Sequence, residues 1–468
     1  MNSKKQPSVF SFKDNIEIYI LTVISAIILF FYGNYEPIAL NDSQGYIDMQ
    51  IIRSPLYPIF LNTFRTILSD DTYLLGAIIC QTLLAILSIF LLLITIKKHF
   101  GYPKLVSVLI YPFVLSPFVI EAFSGHGVLF TNTILTEGLA YSLFYLYMCL
   151  FMNTLYANKN SVLLINLISS YILSGVLILL RGQMQITLII NILLTCFLLI
   201  RRSQRNIKKF LVFFSLILGV LITTSITRFV TSAYTTSQFG ENITPEFTNT
   251  SYMINFLYAA DDEDRELFVD DEDFEIINRM FDEMFDSLEN FADRGDTLES
   301  RAHHLLESNR LLKLHTFIPM ATEYYGNMGY DEVQTYKKYE ELSLRMTAKL
   351  APKHIDRWLE GVLNLSTSGV PDALFFKFVK YRVLCYVIAF AILALSVIAG
   401  LWRFFTRKES KAAQFMLAIM IMLVGNLVAC SLVIGPISRY LLYFWGFVYI
   451  SWILFIYELI CSKKKKSD

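Results

Sequence analysis

The sequence predicts an all-α polytopic membrane protein of about ten transmembrane helices, with one small helical domain outside the bilayer. Three observations predict it. Of the 468 residues, 55% are hydrophobic and only 17% charged, against about 25% charged in an ordinary soluble domain. The mean hydropathy is +0.50. Apolar stretches of sixteen to twenty-odd residues recur along nearly the whole chain, and each can cross a hydrocarbon core of ~30 Å as a helix. This excludes a soluble enzyme. It also excludes a transmembrane β-barrel, whose strands alternate in polarity instead of running continuously apolar. The formal net charge is zero, so the total gives no sign of a nucleic-acid partner.

In chain order the spans fall at 16–33, 74–96, 105–121, 135–156, 162–180, 182–200, 210–230, 383–402, 412–434 and 437–460. The first follows Lys4, Lys5 and Lys13 as a signal peptide would, but no small-x-small cleavage site follows Phe31-Tyr32-Gly33. It therefore reads as an uncleaved signal anchor. Lys and Arg in the short loops set the orientation. Twenty of the 40 basic residues lie in alternate segments that share a side with both termini, from Lys97, Lys98 and Lys104 to Arg201, Arg202 and the tail Lys463 to Lys466. That side is expected to be the cytoplasm. The short segments opposite hold only Arg53, Arg65, Arg181 and Arg439.

The chain thus divides into three expected parts. Residues 1–230 form a transmembrane module of seven spans with a first external loop at 34–73. Residues 231–382 form a hydrophilic external domain, and 383–468 carry the last three spans and a basic tail. The hydrophilic block holds 15 basic and 28 acidic residues. Phe274, Ile276, Ile277, Met280, Phe281, Met284, Phe285 and Leu288 recur at threes and fours and predict one amphipathic helix. Leu305, Leu306, Leu311, Leu312 and Leu314 suggest another. The acidic runs Asp261-Asp262-Glu263-Asp264 and Asp270-Asp271-Glu272-Asp273 lack the alternation and loop glycine of an EF-hand, and read as a solvated loop. All six cysteines fall in or at the ends of apolar runs, and no histidine lies in a zinc-ligand motif. No metal-ligating residue is singled out, and the cofactor stays open between none and a divalent metal, for which the sequence carries no ligand signature.

Several ionisable residues land at the external face: Asp42, Asp48, Arg53, Glu137, Arg181, Arg228 and Arg439. Charged groups at the ends of bundled spans are expensive and mark functional sites, although a span-end arginine also serves by snorkelling to lipid headgroups. Two carboxylates with several guanidiniums suit a hydroxyl nucleophile and a phosphate leaving group. In the first loop, Asn41-Asp42-Ser43 can cap a short helix along the membrane, and Pro55 and Pro58 are expected to force a turn before a helix from Ile59 to Leu68. Asp42 and Asp48 are six positions apart and cannot share one helical face.

Asp42 soon after the first span, Tyr46 four residues on, and Arg53-Ser54-Pro55-Leu56-Tyr57-Pro58 resemble the first loop of GT-C glycosyltransferases. The nearest group is the polyprenyl-phosphate-sugar transferases akin to protein mannosyltransferases and the aminoarabinose transferase of lipid A. Ile134-Leu135-Thr136-Glu137, Leu179-Leu180-Arg181 and Ser438-Arg439-Tyr440 resemble further family positions. The family often has Asp-Glu where this chain has Asp42-Ser43. The resemblance implies a GT-C-like seven-helix module that moves a sugar, with inversion, from a polyprenyl-phosphate donor to a glycan, lipid or protein acceptor of the cell envelope. It implies an extracytoplasmic site on a bacterial plasma membrane. Asp42 would be the general base, with Asp48 the second candidate. Arg181, Arg439, Arg228 and Arg53 would hold the donor phosphate, and Glu137, Tyr46, Tyr57 and Tyr440 would contact substrate.

Three other classes compete. An O-antigen polymerase or ligase would use a polyprenyl diphosphate and place its key residues in the long loop, where Arg301, His303, His304 and Arg310 lie. A transporter would want ionisable groups near the bilayer midplane and interrupted helices, and mid-span charges are nearly absent. A non-catalytic scaffold would use its acidic domain to bind a partner.

Overall fold

The computed structural model describes residues 11–32, 36–40, 42–123, 127–157, 159–201, 206–245, 248–287, 290–376, 382–407, 410–433, 435 and 438–467. Asn41, Leu288, Lys4 and Lys5 lie outside them. The described residues form helices α1 (Ile16–Phe31), α2 (Ser43–Ile47), α3 (Leu56–Ile67), α4 (Tyr73–Phe100), α5 (Lys104–Phe123), α6 (Thr136–Leu155), α7 (Asn160–Leu180), α8 (Gln185–Arg201) and α9 (Asn206–Phe239). There follow α10 (Thr248–Ala259), α11 (Phe274–Asp286), α12 (Leu298–Leu311), α13 (Ile318–Asn327), α14 (Glu332–Phe375), α15 (Arg382–Thr406), α16 (Lys411–Val433) and α17 (Ser438–Ser467). Among the described residues the only β pairing is one isolated bridge between Ile38 and Thr133.

Nine helices among the described residues are long and apolar enough to cross a membrane. They lie at the second to tenth spans expected from sequence. The helix at the first, α1, has 16 residues, a rise of about 24 Å. The chain forms two compact units. One comprises residues 1–231, 390–423 and 442–468, and the other 232–389 and 424–441.

In the first unit α6 is the most enclosed helix, packed against α4 and α7. Hydrocarbon supplies no hydrogen-bond partners, so polar side chains inside the unit must satisfy one another. Tyr147 on α6 donates to Thr187 O and Asn191 Oδ1 on α8, at 3.0 and 3.1 Å. Asn191 in turn bonds Ser170 and Ser174 on α7. These contacts tie three spans together, as buried polar groups do in membrane bundles. Rings of Phe144, Tyr443, Phe444 and Phe447 meet edge to face beside them. Gly446 lets α17 approach α5 backbone to backbone, since a Cβ there would lie 2.3 Å from Phe113 O. Helix α4 ends at Gly101, whose φ of +61° is the left-handed cap conformation. Lys97, Lys98 and His99 fill its last turn, where the helix dipole favours positive charge.

The second unit is built around α14. This helix of 44 residues bends at His354, whose φ and ψ of −122° and 21° are not helical. Pro352 is the cause, because it removes a ladder N–H and crowds the preceding turn. Helix α11 forms where periodicity predicts it, and Ile276, Ile277, Met280, Phe281 and Met284 are its buried face. The second leucine-rich pattern becomes α12 and the π-helical segment Leu312–Phe317. The buried Glu340 on α14 closes the start of α10, accepting from the Asn249 and Thr250 N–H groups and from the Thr250 hydroxyl at 2.7 Å.

The acidic runs are only in part the solvated loop expected from sequence: Asp261, Asp262, Glu263, Asp270 and Glu272 are exposed, but the others are not. Asp264, Asp271 and Asp273 have side chains at most 8% exposed, and they pair with cations spaced by four along α14. Arg345 holds Asp271 and Asp273, and Lys349 lies near Asp271. Lys353 and His354 hold Asp264 at 3.0 and 2.5 Å, and Arg357 holds Asp261 at 2.7 Å. Burial alone would raise the Asp264 pKa, but the Asp261 N–H, Lys353 and His354 outweigh it and keep the carboxyl below its usual value. Because the folded value is lowered, the stability this group contributes is complete above the unfolded pKa of about 3.9. It is lost as pH falls through the folded value. Thermal melts are expected to show stability falling below about pH 4, and Asp264→Asn to melt lower at neutral pH with a flatter acid limb. An unchanged acid limb in the variant would place the sensitivity elsewhere.

Candidate functional site

In the first unit the chain after α1 is drawn beside the start of α6. Ile38 N–H donates to Asn132 O at 2.9 Å, and Ile134 N–H donates to Ile38 O at 3.0 Å. This bridge fixes the first loop three residues ahead of Glu137. Helix α2 begins after Asp42, but the Asp42 carboxylate does not cap it. It accepts instead from Arg53 Nη2 at 3.1 Å. The chain turns back through Met49, at φ +55°, and Arg53 folds over α2. Gly45 makes room for it, since a Cβ there would lie 2.5 Å from Arg53 Nε. The guanidinium sits 4.8 Å from the Tyr46 ring centroid, a cation–π distance. Helix α3 starts at Leu56, so the stretch expected to turn before Ile59 is already helical. Pro55 sits at its cap and Pro58 in its first turn, where the missing N–H has no intrahelical partner to lose.

Tyr57 carries the site inward. Its ring meets Tyr46 edge-on at 5.2 Å, and its hydroxyl donates to Gln81 Oε1 at 2.9 Å. Gln81 Nε2 donates to the carbonyls of Thr131 and Thr133, at 3.2 and 3.3 Å. Sequence reasoning missed Gln81. Its signal is a lone amide in an apolar run, which must find partners when it is fully buried. Deeper still, Glu137 in the first turn of α6 pairs with Arg181 at the end of α7, at 2.7 Å.

The two acid–arginine pairs meet electrostatically at Tyr46. Burial raises the Tyr46 pKa most, Arg181 and Arg53 oppose the rise, and Glu137 and Asp42 add to it. Burial pushes Tyr57 well up, with Tyr46 and Glu137 contributing. Both phenols therefore stay protonated at neutral pH, and that of Tyr57 is the donor to Gln81. The pairs differ in access. Asp42 is 37% exposed and Arg53 20%, whereas Glu137 is 1% exposed and Arg181 12%. A ligand can reach Asp42 and Arg53 directly. Glu137 is a sealed counter-ion to Arg181.

Of the residues singled out from sequence, the structure thus assembles Asp42, Tyr46, Arg53, Tyr57, Glu137 and Arg181. Asp48 is exposed at the other end of α2 and accepts from Gln44 Nε2 at 2.8 Å. Arg228 is exposed on α9 and has no ion pair among the described residues. Arg439 and Tyr440 belong to the second unit. There the Arg439 guanidinium lies 5.4 Å from the Tyr440 ring centroid, and Tyr440 O accepts from Asn426. His303 and His304 line an open cleft of about 440 Å³ with Glu299 and Ser300, and His304 Nδ1 is 2.9 Å from the Tyr258 hydroxyl. Asp261, Asp264 and His354 present ligand atoms within 4.8 Å of one another. Lys353 and Arg357 already neutralise those carboxylates, so the trio is an ion-pair cluster that does not call for a metal.

The sequence pattern of an uncharacterised protein family (UPF0184) matches residues 258–317, a stretch of the second unit that includes the histidine cleft and none of the first-unit cluster. No curated protein and no solved structure matches the chain.

Proposed function

We propose that the protein is an integral membrane glycosyltransferase. It moves a sugar from a polyprenyl-phosphate donor to a cell-envelope acceptor at the extracytoplasmic face of a bacterial plasma membrane. The observation that carries this reading is the accessible Asp42 carboxylate paired with Arg53, whose guanidinium lies over Tyr46, with Arg181 in electrostatic reach of that tyrosine. In the step envisaged, the acceptor hydroxyl gives its proton to Asp42 while its oxygen attacks the anomeric carbon from the face opposite the phosphate. The carbon–oxygen bond to phosphate breaks, and polyprenyl phosphate leaves with the electron pair. The leaving group is already stable as an anion, so it needs charge stabilisation and no proton. Guanidinium forks suit phosphate oxygens, and in this reading Arg53 changes partner from Asp42 to the donor. Donor entry would then free the base. The reading does not rest on Arg228, Arg439 or Tyr440.

The experiment compares cell-envelope glycans, by mass, with and without the protein. Loss of one sugar increment is expected, restored by the wild-type chain. An unchanged glycan profile, together with no sugar release from lipid-linked donors by the purified protein, would overturn the proposal. The histidine cleft favours a second reading, a glycan polymerase or ligase using a polyprenyl diphosphate. It would be preferred if His303→Ala and His304→Ala abolished activity while Asp42→Asn did not.

A further inference from the structure

A second cleft, of about 460 Å³, opens in the first unit between α4, α6 and α7. Its walls are mainly apolar, formed by Leu91, Ile94, Leu146, Leu150 and Leu173, with Thr95 and Cys149 between them. Its polar end is Lys98 with Asn153. Lys98 lies 17 positions beyond Gln81 on the same helix, about 26 Å along its axis, so this cleft is separate from the candidate site. The charge at its mouth is organised. Asn153 Oδ1 accepts from Lys98 Nζ and meets His99 Nε2, both at 3.0 Å. That fixes the exposed ammonium and leaves two of its three N–H donors for a ligand. Lys411 adds a second cation, with its Nζ on His99 O at 3.0 Å. Lys97 is neutralised by Glu17, but Lys98 and Lys411 have no ion pair among the described residues.

We propose that this cleft binds an anionic phospholipid, one acyl chain lying along the leucine walls and the headgroup phosphate meeting Lys98, with Lys411 beside it. An apolar slot ending in uncompensated cations complements such a lipid in both parts. A zwitterionic lipid would bring its own cation to Lys98, and a free phosphate would leave the apolar walls unused. The basic end of α4 also lies on the side expected to face the cytoplasm, where anionic lipid attracts clustered lysines.

The test is native mass spectrometry of the full-length protein, released from nanodiscs of equal phosphatidylglycerol and phosphatidylcholine. The wild type should retain phosphatidylglycerol several-fold over phosphatidylcholine. Lys98→Gln, at an exposed position, should bring the ratio near parity. Leu146→Trp and Leu173→Trp fill the slot from two different helices, so one informative variant remains if the other misfolds. Either should reduce retention of both lipids. Equal retention of the two lipids by the wild type would overturn the proposal, as would an unchanged preference in Lys98→Gln. Full retention in a folded tryptophan variant would show that the lipid sits elsewhere.

Discussion

Asp42→Asn is expected to lower turnover with a lipid-linked sugar donor by about 10²–10⁴-fold, the usual loss when a general base is removed. The substitution exchanges one carboxylate oxygen for an amide nitrogen with almost no change of shape. Asp42 is partly exposed and does not cap α2, so folding should survive, and a melt within a few degrees of wild type is the control. Arg53 keeps its place over Tyr46 through the ring contact, so the change tests the base with little disturbance of the cation. A base acts only when ionised. The acid limb of the wild-type rate profile should therefore disappear in the variant, which mere loss of a positioning contact would not cause. Asp48→Asn should be nearly silent, because Asp48 faces solvent and its partner is Gln44. A dead Asp48→Asn with near-normal Asp42→Asn would move the base to Asp48. Full activity in both would remove this loop from the chemistry.

The spans were legible because crossing hydrocarbon dictates length and composition together, and few other constraints write so plainly into a sequence. Helix α11 was legible for a similar reason, since one face of it is buried and the other is not. The α14 ion pairs were not. Asp261, Asp264, Asp271 and Asp273 meet cations more than seventy positions away, and either run read alone looks solvated. Only a helix long enough to present Arg345, Lys349, Lys353 and Arg357 on one side joins them. The first loop shows a finer limit. Asp42 and Arg53 stand in one short segment and invite pairing, but the cap geometry of Asp42 was the equally local alternative. What decides between them is Gly45, whose missing side chain gives Arg53 its path. Gln81 was hidden by its own surroundings, because a single amide barely lowers the hydropathy of a long apolar run.

Breaking the Glu137–Arg181 pair is expected to have the largest effect on stability. Arg181→Met leaves a carboxylate that is 1% exposed without its guanidinium, and removing one partner of a buried ion pair costs about 3–5 kcal/mol. Glu137→Gln breaks the same ion pair from its acidic side and should also lower the melt. The double variant Glu137→Gln/Arg181→Met strands no charge, and replacing a buried pair with neutral groups is often close to neutral for stability. It should therefore melt well above either single variant. Activity separates the two possible roles of Arg181. If the arginine only anchors α7 to α6, the double variant should regain activity along with stability. If Arg181 also meets the donor phosphate, the double variant should fold yet stay inactive. Arg181→Lys, which keeps the charge but loses the two-pronged fork, should then raise KM for the lipid-linked donor while leaving the melt nearly unchanged. Recovery of both properties in the double variant, with wild-type kinetics in Arg181→Lys, would reduce Arg181 to a structural counter-ion and leave Arg53 as the only phosphate ligand in the assembled cluster.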